Sequence, residues 1–115
     1  MLNASVLLFA IAAVGGLVLA ILHFKGKDRP LALALLHGGL GATALVLLLI
    51  SASSGAVPGH AKLVVGLFLA AALGGILLFS FRLRKVPLSS PVVLIHGGVA
   101  ATAFVILLAS LYLKG

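Results

Sequence analysis

Four long apolar stretches, separated by short polar segments, organise this chain. They cover residues 5–24, 31–50, 61–81 and 91–113. Each is about 20 residues long, the length at which an α-helix crosses the hydrocarbon core of a bilayer. The segments between them contain charged residues, glycine and proline, which are typical of helix ends and turns. The pattern therefore predicts four membrane-spanning helices joined by short loops.

The second half of the chain repeats the first. Residues 7–51 align without a gap with residues 66–110, and the alignment pairs His37 with His96. Because each copy holds two spans, both copies run in the same direction, and we expect a pseudo-two-fold axis along the membrane normal. The predicted fold class is all-α: an integral-membrane, up-down-up-down four-helix bundle of two tandem helical hairpins. Residues 1–115 form a single transmembrane domain in this interpretation.

Composition agrees with a membrane protein. With 63% hydrophobic and 8% charged residues and a mean hydropathy of +1.42, the chain has too little polar surface to coat a soluble globule. The first stretch lacks a basic segment before it, so we interpret it as a retained span and not as a signal peptide. The absence of cysteine excludes disulfides, thiolate metal sites and cysteine nucleophiles. Four spans in 115 residues also leave no room for a soluble catalytic domain, so we expect any chemistry to come from the helices.

The net charge of +7 is concentrated in short loops. The first and third loops hold six of the eight basic residues: Lys25, Lys27, Arg29, Arg82, Arg84 and Lys85. The positive-inside rule then predicts that these loops face the cytoplasm and that both termini lie outside, as in a protein of the bacterial inner membrane. We expect no nucleic-acid partner, because no soluble domain could present these charges to a duplex.

One histidine lies inside a span of each copy. His37 and His96 are about seven and five residues into the second and fourth helices, which places both roughly 8–10 Å from the cytoplasmic ends. An ionisable side chain at this depth is costly and indicates a function. The alternative is a structural pair, in which each imidazole is hydrogen-bonded to a helix carbonyl or to the other histidine.

Small residues surround this level of the predicted bundle. Glycine pairs on the first and third helices lie at nearly the same depth as the histidines, and a small residue follows each histidine one turn deeper. Ligand clearance and close helix packing both explain such glycines. The residues concerned are Gly15, Gly16, Gly74, Gly75, Gly41 and Ala100.

Two imidazoles without another strong ligand suit haem better than a free metal ion. A zinc or copper site normally needs three or four protein ligands, and Asp28, the only carboxylate residue, lies in a loop. A porphyrin supplies four nitrogens and leaves two axial positions. The sequence therefore predicts one haem b, with His37 and His96 as the metal ligands and the six small residues around it. It predicts no catalytic residue.

These residues resemble the four-helix core of transmembrane b-type cytochromes. In that family, diagonal helices supply bis-histidine haem ligands, and glycines on the other helices let the macrocycle approach. Many members carry a second histidine 13 or 14 residues further along each ligating helix, for a second haem. This chain has Ile50 or Ser51 and Ala109 or Ser110 at those positions. The resemblance therefore implies at most one haem.

Two functions follow as hypotheses. The first is a small membrane haem protein, for which an electron carrier or a haem-bearing accessory subunit is favoured over a stand-alone enzyme. Its expected partners are the lipid bilayer and a redox partner, a quinone or a larger membrane complex, with a homo-oligomer left open. The alternative is a cofactor-free membrane protein, either an assembly subunit or a compact transporter, in which histidine relays protons.

The remaining polar residues predict local roles. We expect His23 and His60 to be membrane-interface residues, and Ser90 to cap the fourth helix. Thr43 and Thr102 are expected to hydrogen-bond to carbonyls of their own helices.

Overall fold

The computed structural model describes residues 1–55 and 61–112, and all regular structure within these ranges is α-helical. The prediction of an all-α, four-helix fold is confirmed. At 1.5 Å per residue, a helix of 23 residues is about 34 Å long. The four helices, each of this length, are α1 (Leu2–Phe24), α2 (Leu31–Ser53), α3 (Ala61–Leu83) and α4 (Ser90–Tyr112).

All four helices are long and apolar enough to cross a membrane. Most of them extend two or three residues beyond the predicted apolar stretches, because flanking polar residues such as Asn3 and Ser53 continue the helix. Large apolar side chains cover the outside of the bundle; Leu17, Leu73 and Ile95, for example, are each more than 60% exposed. Helices that are apolar on all sides are typical of membrane spans.

The helices follow one another around the bundle. The closest packing is within each copy, between α1 and α2 and between α3 and α4, while α2 also contacts α3 and α1 contacts α4. The diagonal pairs are therefore α1 with α3 and α2 with α4. Each diagonal pair consists of equivalent helices from the two copies.

Phe9 of α1 and Phe68 of α3 contact each other across the first diagonal. Their rings are stacked, with centroids 4.0 Å apart and planes 7° apart. Leu48, Val64 and Leu107 are fully buried in the same cluster. This apolar core lies in the half of the bundle away from the first and third loops. His37 and His96 lie in the other half, near the starts of α2 and α4.

The first and third helices end in the same way. The chain turns at Gly26 (φ 68°) after α1 and at Lys85 (φ 56°) after α3, which are equivalent positions in the two copies. In each case the N–H groups of this residue and of the next one donate to carbonyls in the last helical turn, the Schellman arrangement. Glycine adopts this left-handed conformation freely, whereas lysine does so at a cost.

Candidate histidine site

His37 and His96 face each other across the second diagonal, between α2 and α4. Their ring centroids are 6.1 Å apart and their planes are nearly perpendicular, at 88°. Both residues are half-buried. The structure thus brings together the two histidines that the sequence singled out.

Each imidazole is oriented by a backbone carbonyl of the neighbouring helix in its own copy. The Nδ1 atom of His37 lies 2.7 Å from the carbonyl oxygen of Ala12, and Nδ1 of His96 lies 2.7 Å from that of Ala71. A carbonyl oxygen only accepts, so Nδ1 is the donor in both rings. A neutral ring that donates through Nδ1 carries its lone pair on Nε2. In its neutral form, each ring therefore offers Nε2 as an acceptor or a ligand atom.

Two glycines make room for the imidazoles. A β-carbon added at Gly16 would lie 2.8 Å from Cε1 of His37, and one added at Gly75 would lie 3.2 Å from Cε1 of His96. The first distance is shorter than real β-carbons tolerate, and the second is tight. A side chain at position 16 would thus force a shift against His37, whereas one at position 75 would need only a small adjustment of His96.

The other small residues differ in how closely they approach the histidines. β-Carbons at Gly15 and Gly74 would lie 3.6 and 3.4 Å from the β-carbons of His37 and His96, which is at or near van der Waals contact. One turn deeper than the histidines, Gly41 and Ala100 are half-buried. A β-carbon at Gly41 would meet no atom within 4 Å. Packing within the bundle therefore explains the glycine pairs but not Gly41.

The threonines act within their own helices. The hydroxyl groups of Thr43 and Thr102 donate to the carbonyls of Gly39 and Gly98, each at 2.8 Å. The predicted roles of these threonines are confirmed, and neither hydroxyl is directed at the histidine pair. His60 lies outside the described residues.

The predicted N-cap of α4 is wrong by one residue. The hydroxyl oxygen of Ser89, and not that of Ser90, accepts from the N–H of Val92, at 3.5 Å. Ser90 is the first helical residue, and its hydroxyl lies 3.1 Å from Nε2 of His23 at the end of α1. His23 therefore has a specific partner in the other copy, and its location at the membrane interface stays a prediction.

A second contact matches this one. Arg82 occupies the position equivalent to His23, and its Nη2 donates to the carbonyl of Arg29, at 2.8 Å. Each copy thus extends a side chain from the end of its first helix to the other copy, to the first residue of α4 in one case and to the connection just before α2 in the other. We call these two contacts the loop-end clasps. The signal in the sequence was a long hydrogen-bonding side chain at the same position of both copies.

The histidine pair offers a metal two ligand atoms, the Nε2 atoms of His37 and His96. Within residues 1–55 and 61–112, no three His, Cys, Asp or Glu side chains come together as a metal-binding group. No family model, curated protein or solved structure matches the chain. Its function is therefore inferred from its own residues and their geometry.

Proposed function

We propose that this chain is a small integral-membrane protein that binds one haem b between His37 and His96. It would serve in electron transfer or as a haem-bearing accessory subunit. The observation that carries this proposal is the facing pair of imidazoles, each held through Nδ1 by a carbonyl, at 2.7 Å, so that Nε2 is left for a metal.

The separation of the rings suits two ligands of one iron. Imidazole nitrogens bind first-row metals at about 2 Å, so two rings that held one metal between them would have centroids about 6 Å apart. The centroids of His37 and His96 are 6.1 Å apart. A bare ion would need further protein ligands, whereas a porphyrin requires only the two axial ones. The donor set therefore fits haem.

Ala12 and Ala71 supply the supporting contacts. A metal-bound histidine usually donates its other ring N–H to a carbonyl or a carboxylate, which fixes the tautomer and strengthens the ligand. The two carbonyls hold both rings in the tautomer that ligation needs. A haem bound here would supply one-electron chemistry, and the protein would tune its potential through these ligands and its apolar walls.

The membrane placement completes the proposal. The apolar outer surface of the four helices suits lipid, and the basic first and third loops favour the cytoplasmic side of a bacterial inner membrane, with both termini outside. The histidine pair then lies nearer the cytoplasmic face. A single haem at that depth needs a redox partner, a quinone or a larger membrane complex to pass electrons further.

A cofactor-free protein is the second candidate, and one observation favours it. The two rings already lie within the 4.5–7 Å range of direct edge-to-face packing, and the glycines fit around them without a third group. In that case the pair would serve as a structural element in an assembly subunit, or as a proton relay in a compact transporter.

An absorption spectrum separates the two candidates. The protein is expressed with ample haem supply, purified in mild detergent, and reduced with dithionite. Bis-histidine haem should give a strong Soret band and sharp visible bands, with one haem per chain by the pyridine haemochrome assay. A folded but colourless preparation would falsify the haem proposal and favour the cofactor-free alternative.

A further inference from the structure

An open cavity of about 500 Å³ lies at the loop end of the bundle, apart from the histidine pair. Both copies line it. Lys27 and Arg29 come from the connection between α1 and α2, and Arg82 and Lys85 come from the end of α3 and the turn after it. Asp28 is the one carboxylate in the lining. We call this cavity the basic basin; its charge is strongly positive.

One loop-end clasp fixes part of the basin. Arg82 donates through Nη2 to the carbonyl of Arg29, which ties the two copies together at the cavity and holds the guanidinium in place. This bond uses one of the five N–H donors of the guanidinium, so others remain for a ligand. Arginine and lysine side chains arranged in this way are typical recognition groups for phosphate.

The start of α2 adds to the positive potential. Leu31, the first residue of α2, lines the basin, and Pro30 before it provides no side-chain hydrogen bond to the first N–H groups of the helix. The first turn of a helix carries a partial positive charge that favours anions. The side chains of Leu31 and Val86 also give the lining an apolar part.

We propose that the basic basin binds a phosphate-bearing anion. The four basic side chains supply the charge, and the clasp supplies the fixed geometry. The phosphate can belong to the headgroup of an anionic lipid, since the basin lies at the end of four apolar helices, or to a free phosphate ion. This site does not depend on haem binding, so either proposal can fail without the other.

The test compares two pairs of substitutions that remove the same number of charges from the same connections. Lys27→Gln with Lys85→Gln removes two basin residues and leaves the clasp in place. Lys25→Gln with Arg84→Gln is the matched control, because these residues lie in the same connections but do not line the basin. Arg84 instead lies over the ring of Phe81.

Lipid binding is measured by native mass spectrometry in neutral detergent, with dioleoyl phosphatidylglycerol and dioleoyl phosphatidylcholine as probes. We expect the wild-type chain to prefer phosphatidylglycerol. The basin pair should lower that affinity about tenfold or more, because it removes two of the four basic side chains that line the cavity. The control pair should change the affinity for phosphatidylglycerol less than about twofold, because Lys25 and Arg84 do not line the cavity.

A second measurement identifies the source of the phosphate. Inorganic phosphate at millimolar concentration is added to the detergent-purified protein, and thermal unfolding is followed. Stabilisation of the wild type that is lost in the basin pair identifies the free ion as a ligand. Binding of phosphatidylglycerol without an effect of inorganic phosphate identifies a lipid. Equal losses in the basin and control pairs, or no binding of either probe, would overturn the proposal.

Discussion

Gly16 and His37 are so closely packed that a single methyl group between them would force one of them to move. The β-carbon of an alanine at position 16 would lie 2.8 Å from Cε1 of His37 and 3.3 Å from its Nδ1. The same ring atom Nδ1 is bonded to the carbonyl of Ala12. A side chain at position 16 would therefore both crowd the imidazole of His37 and disturb the hydrogen bond that orients it.

We predict that Gly16→Ala destabilises the bundle more than Gly75→Ala does. Overpacking of a well-filled site costs about 1–3 kcal/mol, and the contact at Gly75 is looser, at 3.2 Å. Thermal unfolding of the detergent-purified variants measures the difference. Gly41→Ala is the control: it meets no neighbour, and alanine is the better helix former by about 1 kcal/mol. A Gly16→Ala protein as stable as Gly41→Ala would contradict the close contact.

Replacing either His37 or His96 by alanine should remove the low-spin haem spectrum. With haem bound as proposed, each substitution would remove one of its two imidazole ligands, so the bands should disappear or change to a five-coordinate type. The double substitution should add little to either single one, because both act on one site. Reduced-minus-oxidised spectra provide the measurement, with His60→Ala as a control that leaves the bands unchanged. Additive losses of stability without a spectral change would instead indicate two separate packing histidines.

Lys85→Gly should stabilise the protein by roughly 0.5–1 kcal/mol, because glycine adopts the left-handed conformation at this helix end without strain. Its φ is 56°, and the equivalent Gly26 has a φ of 68°. The reciprocal change, Gly26→Ala, should destabilise by a similar amount. Thermal unfolding measures both. Lys85→Gln is the control. It removes the charge of the side chain but keeps a non-glycine residue in the left-handed conformation, so it should not raise the free energy of unfolding.

Membrane orientation is tested by cysteine labelling in intact cells. Under the positive-inside rule, a cysteine at Ser54 should react with an impermeant maleimide from outside, whereas one at Lys27 should react only after permeabilisation. If the labelling pattern is reversed, the histidine pair lies in the outer half of the membrane.

The helices and the histidine pair were predictable because two features of the whole sequence determine them: the apolar stretches and the internal duplication. The length of each apolar stretch sets each span, and the duplication relates His37 to His96 without any structural knowledge. The diagonal placement of α2 and α4 then follows from short connections. The same signals could not fix helix ends to the residue, because Ser89 and Ser90 are equally good candidates for the cap.

The partners of the histidines were not predictable, because a backbone carbonyl has no signature in the sequence. Any residue of α1 presents the same acceptor as Ala12, and only the packed structure selects it. For the same reason, the glycine pairs could be assigned either to a cofactor or to packing. Their closeness to the imidazoles shows that they make room for the rings, and any contact with a cofactor stays a prediction.

Ser5 and Val64 lie at matching positions, each two residues before the aligned segment of its copy, yet their side chains differ in chemistry. Ser5 is fully buried and donates to the carbonyl of Ala44, at 2.7 Å, whereas Val64 is an equally buried apolar residue. In an assembly of two identical hairpins, every substitution would fall on both sides of the axis at once. Because this chain joins its hairpins covalently, a polar group can stand on one side alone, and the surroundings of the two histidines can be adjusted independently.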